Sequence, residues 1–203
     1  MTNKTIIRII AYIAGLIIQA LGLALMIRSD LGTGPWDGFY VGMCSHFGLT
    51  VGFWLIIFGV IFIFCSSYLM KRRPDFLSLI TVIILGLCID VWLYVIHPEQ
   101  KGAEMQVFTF WLGLIITSAG TGMYLQGEFA LTPADQLMIA LCRRLGLSLT
   151  ASKTIGDSCA LAFALVLDGP IGLGTVIYTF LSGPLIQFLI PRIERAIVTH
   201  VKD

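Results

Sequence analysis

Apolar residues in this chain run in long blocks instead of alternating with polar ones. Blocks at residues 7–27, 51–70, 76–96, 107–126, 150–167 and 173–190 are each long enough to cross a bilayer as a helix, which takes roughly 20 residues. Charged and helix-breaking clusters close them. Lys71, Arg72, Arg73 and Pro74 follow the second, His97 and Pro98 the third, Asp168, Gly169 and Pro170 the fifth, and Pro191 and Arg192 the sixth. Two further blocks, 35–47 and 133–145, are only about a dozen residues long. That length suits a re-entrant, interfacial or buried core helix. Each opens on a helix-start signal, Gly34-Pro35 and Thr132-Pro133, because proline at the first helical position has no amide hydrogen to leave unpaired.

Composition sets the solvent. Of 203 residues, 57% are hydrophobic and 12% charged, with a mean hydropathy of +0.91. A soluble fold needs far more polar cover, and a disordered chain far less apolar content. The expectation is an all-α integral membrane protein of about six spans, with the lipid bilayer as its main partner. The net charge of +1 gives no reason to expect nucleic acid. Five cysteines (Cys44, Cys65, Cys88, Cys142, Cys159) lie in apolar stretches without a C-x-x-C pair and read as buried free thiols. The three histidines are scattered and show no metal-ligand spacing, so neither metal nor cofactor is expected. Nucleophile-elbow, zincin and P-loop patterns are absent from the sequence, and no enzymatic role is expected.

The positive charges orient the chain. Lys4 and Arg8 precede a first block too long for a cleaved leader and put the N-terminus in the cytoplasm. If the two short helices return to their own side, Lys71–Arg73, then Arg143, Arg144 and Lys153, then Arg192, Arg195 and Lys202 all fall inside with the C-terminus. The loop from His97 to Glu104 and Asp168 fall outside. Arg28 dissents.

The chain also matches itself when shifted by 98 residues, the separation of Pro35 from Pro133. Gly15-Leu16-Ile17-Ile18 then meets Gly113-Leu114-Ile115-Ile116, and Gly22 meets Gly120. Asp30 meets Glu128, Asp37 meets Asp135, Cys44 meets Cys142, and Gly48-Leu49 meets Gly146-Leu147. A duplication of 1–98 in 99–203 follows. Each unit holds three spans, an odd number, so the halves should be inverted, with a short non-spanning helix after the first span of each. Inverted repeats with interrupted helices are a recurring transporter construction whose site lies near the midplane.

The run Asp30-Leu31-Gly32-Thr33-Gly34-Pro35-Trp36-Asp37, with Gly48-Leu49-Thr50-Val51-Gly52 and Gly172-Leu173-Gly174-Thr175-Val176, resembles the YczE/YyaS/YitT family of bacterial membrane proteins along the whole chain. The resemblance implies a small multi-pass protein of the bacterial inner membrane and brings no substrate with it. In the second half the counterpart, Ala130-Leu131-Thr132-Pro133-Ala134-Asp135, lacks the glycines.

The candidate site follows from the two interruptions. Half-helices starting at Pro35 and Pro133 would aim free amides and positive dipole ends inward. Thr33, Gly34, Trp36, Asp37, Thr132 and Asp135 are the candidate substrate-binding residues, for a small polar or anionic metabolite. Two roles stay open for the aspartates, since each stands three residues past its helix start, as the acid of a capping box does. Trp36 fits either a cavity wall or an interfacial anchor. Asp90, within a span, is the candidate for ion coupling. Lys153 and Asp157, four apart on one helix face, fit a mutual ion pair. Gly15, Gly22, Gly113 and Gly120 make smooth stripes for close helix packing. The reading is thus a small secondary transporter or permease, with a channel or a non-transporting partner protein as the alternatives. Six spans make a thin wall around a site, which a homodimer would thicken.

Overall fold

The computed structural model describes residues 3–97, 102–127 and 129–199. Glu128, the counterpart of Asp30, lies outside the described residues, as do Pro98, Lys101, His200 and Lys202. Within them the chain forms eight helices and no strand. They are α1 (Asn3–Ser29), α2 (Pro35–Phe47), α3 (Val51–Met70), α4 (Phe76–Val95), α5 (Ala103–Gln126), α6 (Pro133–Leu145), α7 (Leu149–Val166) and α8 (Leu173–Thr199). Among the described residues, α1, α3, α4, α5 and α8 are long and apolar enough to cross a membrane. Helix α7, expected as a span, is not in that set; its early turns carry Lys153 and Asp157.

Local chemistry sets most helix ends. Thr50, Asp75, Thr132 and Ser148 each accept a backbone N–H in the first turn of α3, α4, α6 and α7, satisfying amides that the helix itself cannot. Helices α2 and α6 end at Gly48 (φ 73°) and Gly146 (φ 66°), a left-handed backbone that glycine adopts without steric cost. At both ends a cysteine Sγ donates to the carbonyl five residues on, Cys44 to Leu49 and Cys142 to Leu147, each at 3.0 Å. The short segments that match in sequence thus share this cysteine contact, although Gly146 is left-handed helical (ψ 22°) and Gly48 is not (ψ −159°). The sixth predicted span differs in extent. Pro191 was expected to close it at 190, but α8 runs through Pro184 and Pro191 to Thr199. Arg192 folds back there, its guanidinium donating to the Phe188 carbonyl at 2.7 Å and lying 3.5 Å over the Phe188 ring.

Helices α1 and α5 form the spine. A Cβ built on Gly15 would strike the backbone of Tyr124 and Gly120, and one on Gly22 the backbone of Thr117 and Gly113. The four glycines of the sequence stripe thus face one another directly. Rising numbers on α1 meet falling numbers on α5, so the two helices are antiparallel. Around this crossing α4 packs on α1, α8 on α5, α2 on α7 and α3 on α6. The halves do not form separate globules, because each short helix is seated against a helix of the other half.

Candidate functional site

Between α1 and α8 the bundle encloses a cavity of about 250 Å³. Its walls come from the middle of α1, α3, α4 and α8, the start of α7, the later turns of α5, and the first turns of α2 and α6. The two interrupted segments therefore converge on one space. Gly34, Trp36, Asp37, Thr132 and Asp135 all line it. The lining follows the 98-residue shift beyond those motifs as well. Leu23 and Thr121, Leu55 and Lys153, Gly59 and Asp157, and Leu85 and Gly183 are matched positions that all face the cavity.

Two predicted residues lie elsewhere. Thr33 is fully buried; its amide donates to the Pro170 carbonyl at 3.1 Å and its hydroxyl to the Gly34 carbonyl at 3.3 Å. It shapes the loop without facing the cavity. Its neighbours tie the two glycine motifs into one unit, with the Gly174 amide donating to the Leu31 carbonyl at 2.8 Å and no room for a Cβ between Gly32 and Gly172. Asp90 accepts the Thr50 hydroxyl at 2.5 Å and the Gly52 amide at 2.8 Å. This is the geometry of a cap on α3, contributed from α4 and away from the cavity. Arg28, the exception to the charge pattern, donates to the Leu93 carbonyl. That carbonyl is in the last turn of α4, where cations are favoured.

The two motif aspartates are not alike. Asp135 sits in a network, its Oδ2 accepting the Thr132 hydroxyl at 2.8 Å and the Tyr124 hydroxyl at 3.3 Å, while its amide donates to Thr132 Oγ1 at 3.3 Å. The first half has Gly34 where the second has Thr132, and Met26 where it has Tyr124. Asp37 consequently has no hydrogen-bond partner among the described residues. A Cβ on Gly34 would fall 2.7 Å from Asp37 Oδ2 and 2.8 Å from Tyr178 Cε1. The missing side chain is what lets that ring and that carboxylate share the wall. Trp36 packs edge-on against Phe62, with ring centroids 5.0 Å apart, and both line the cavity; it serves as wall here.

Lys153, counted from sequence with the basic loops, also faces the cavity, where its Nζ is 2.6 Å from Asp157 Oδ2. The expected pair thus forms inside the candidate site. Tyr40, Tyr178 and Ser182 complete it without having been singled out from sequence. Tyr40 was within reach of such reasoning, since it stands three residues after Asp37 on the same helix face. Tyr178 and Ser182 come from α8 and carry no local signal. A smaller pocket, lined by Ser66, Arg72, Arg73, Asp75, Gln136 and Arg143 among others, brings the basic clusters after α3 and in α6 to one end of the bundle. Among the described residues no group of His, Cys, Asp and Glu is arranged to hold a metal.

Residues 6–191 match the family of unknown function DUF6198. The chain belongs to it. The family fits the resemblance carried by the loop from Asp30 to Asp37. The chain is 36% identical to the protein YyaS of Bacillus subtilis, over 91% of this chain and 92% of that one. It is 31% identical to the membrane protein YczE of the same organism, over 95% and 89%. A Haemophilus influenzae protein is 25% identical over 88% and 81%. No solved structure matches. With a relative named as a membrane protein and five helices of spanning length and hydropathy, this DUF6198 chain is a membrane protein.

Proposed function

We propose that this DUF6198 protein is a small permease that carries a small polar solute through the cavity between two inverted halves of the chain. The observation that carries the reading is the convergence of both interrupted segments on one cavity, with matched positions of the two halves on its wall. The antiparallel crossing of α1 and α5, which are counterparts in the repeat, supports inversion. So does the exchange of α2 and α3 onto α7 and α6. On this reading α2 and α6 are re-entrant, with their N-termini at the midplane, where folds of this construction bind their cargo. Irregular backbone at that depth survives because it lines a cavity inside protein. The clustering of Arg72, Arg73 and Arg143 at one end favours that end as cytoplasmic in the bacterial inner membrane; with α7 as a sixth crossing, beyond the five helices of spanning length and hydropathy, both termini fall on that side.

The test is uptake by liposomes containing the purified full chain, using pools of radiolabelled small polar metabolites. The expected result is saturable uptake above protein-free vesicles for at least one pool. Flux that rises linearly without saturation would make the protein a channel. No flux from any pool would overturn transport and favour a non-transporting partner protein.

A further inference from the structure

Resting on the reading of this cavity as the solute site, the geometry points to a small organic ammonium, a protonated amine, as the cargo, with Asp37 as its counter-charge. The sequence pattern alone favoured a polar or anionic solute, because two helix N-termini face inward. In the fold each of those N-termini already has its own carboxylate in the first turn, Asp37 on α2 and Asp135 on α6. These offset the dipoles that would have drawn an anion.

The charge inventory of the wall decides the sign. Its carboxylates are Asp37, Asp135 and Asp157, and its single cation is Lys153. Lys153 is engaged with Asp157 at 2.6 Å, so the formal charges left over are both negative. Asp135 is held by two hydroxyls. Asp37 accepts no hydrogen bond from the described residues, and the one cation that acts on it, Lys153, is bonded to Asp157; a carboxylate away from bulk water without a hydrogen-bond partner is costly. A ligand that brings a positive charge and hydrogen-bond donors relieves that cost; an anion raises it.

Independent of the acids, two wall residues carry unpartnered polar groups, an amide oxygen that can only accept and a hydroxyl that accepts as well as donates. Gln19 is a wall residue, and its Oε1 is buried with no partner. Tyr40 is 5% exposed, lines the same cavity, and its hydroxyl has no partner among the described residues. An ammonium group supplies three donors and no acceptor. Trp36, Tyr40 and Tyr178 put three aromatic rings in the wall, a composition that suits a weakly hydrated organic cation better than a bare metal ion. The asymmetry has a sequence cause: Gly34 in place of a threonine frees Asp37, while Thr132 and Tyr124 immobilise its counterpart.

The test is thermal unfolding of the purified full chain in detergent, in amine-free phosphate buffer, with n-butylammonium or butyrate added at equal ionic strength. The expected result is a saturable rise in melting temperature with n-butylammonium and none with butyrate, because a ligand that binds only the folded state stabilises it. Asp37→Asn should weaken the apparent affinity about tenfold or more, and Asp37→Glu should retain most of it. Stabilisation by butyrate, or by neither probe, would overturn the inference. This comparison within the wild type stands even if a variant fails to fold. Uptake of radiolabelled n-butylammonium by liposomes separates the two claims. Binding without flux, together with no flux from any metabolite pool, would sustain the cation site and overturn transport. Saturable flux of butyrate without n-butylammonium binding would sustain transport and overturn the cation site.

Discussion

Consider the same substitution, glycine to alanine, at two helical positions. At Gly22 the added methyl would lie 2.6 Å from the Gly113 carbonyl oxygen and closer still to the backbone nitrogen of Thr117. Two of the three nearest atoms are main chain, so no rotamer change makes room and α1 must move off α5. Overpacking of that kind costs about 3 kcal/mol, the upper part of its usual range, offset by about 1 kcal/mol of helix propensity gained on losing a glycine. The net expectation is a loss of about 2 kcal/mol. At Gly156 in α7 the methyl meets only Trp36 Cζ2, at 3.8 Å. There the propensity gain stands alone, a stabilisation of about 1 kcal/mol. The pair is measured by thermal unfolding in detergent of the two variants and the parent. For a chain of this size about 2–4 °C accompanies each kcal/mol. Gly22→Ala should therefore melt about 4–8 °C lower, and Gly156→Ala a few degrees higher. A Gly22→Ala protein as stable as its parent would refute the close α1–α5 crossing and the antiparallel register read from it.

Two further outcomes follow from the same geometry. Asp90→Ala should destabilise the protein by about 1–3 kcal/mol by stranding the buried Gly52 amide, while leaving ammonium binding unchanged; loss of uptake at unaltered stability would instead restore Asp90 as an ion-coupling residue. Single cysteines at Gly48 and Gly146, both in open space, in a cysteine-free background should react with an impermeant thiol reagent from opposite sides of the membrane; labelling from the same side would refute inverted halves.

Much of this architecture was legible one residue at a time. Helix-forming blocks, their lengths and the helix starts at Gly34-Pro35 and Thr132-Pro133 depend on hydropathy and on chemistry within a turn or two. The four-glycine stripe could be read as a packing surface because a residue without a side chain permits close approach whichever helix arrives. The two interruptions could be read as one site because the repeat gives them equivalent places. Helix α8 departed from the local reading: Pro191 is a stop signal in isolation, yet the helix continues through it.

The tertiary structure decided what depends on a distant partner. Asp37 and Asp135 look equivalent in sequence, and both stand where a capping acid would. Only packing reveals that Tyr124 joins Thr132 on one of them, while the other accepts no hydrogen bond among the described residues. Asp90 has the marks of a functional intramembrane acid until Thr50 and Gly52, some 40 residues away in sequence, are brought to it. Lys153 counts as a cytoplasmic charge until α7 is seated against α2 and turns it into the cavity beside Asp157. Sequence determines which groups a helix carries and on which face. A carboxylate's effective chemistry depends on what lies within about 3 Å of it; Thr132 and Lys153 are local to Asp135 and Asp157, but Tyr124 reaches Asp135 from α5, and Thr50 and Gly52 reach Asp90 from the start of α3.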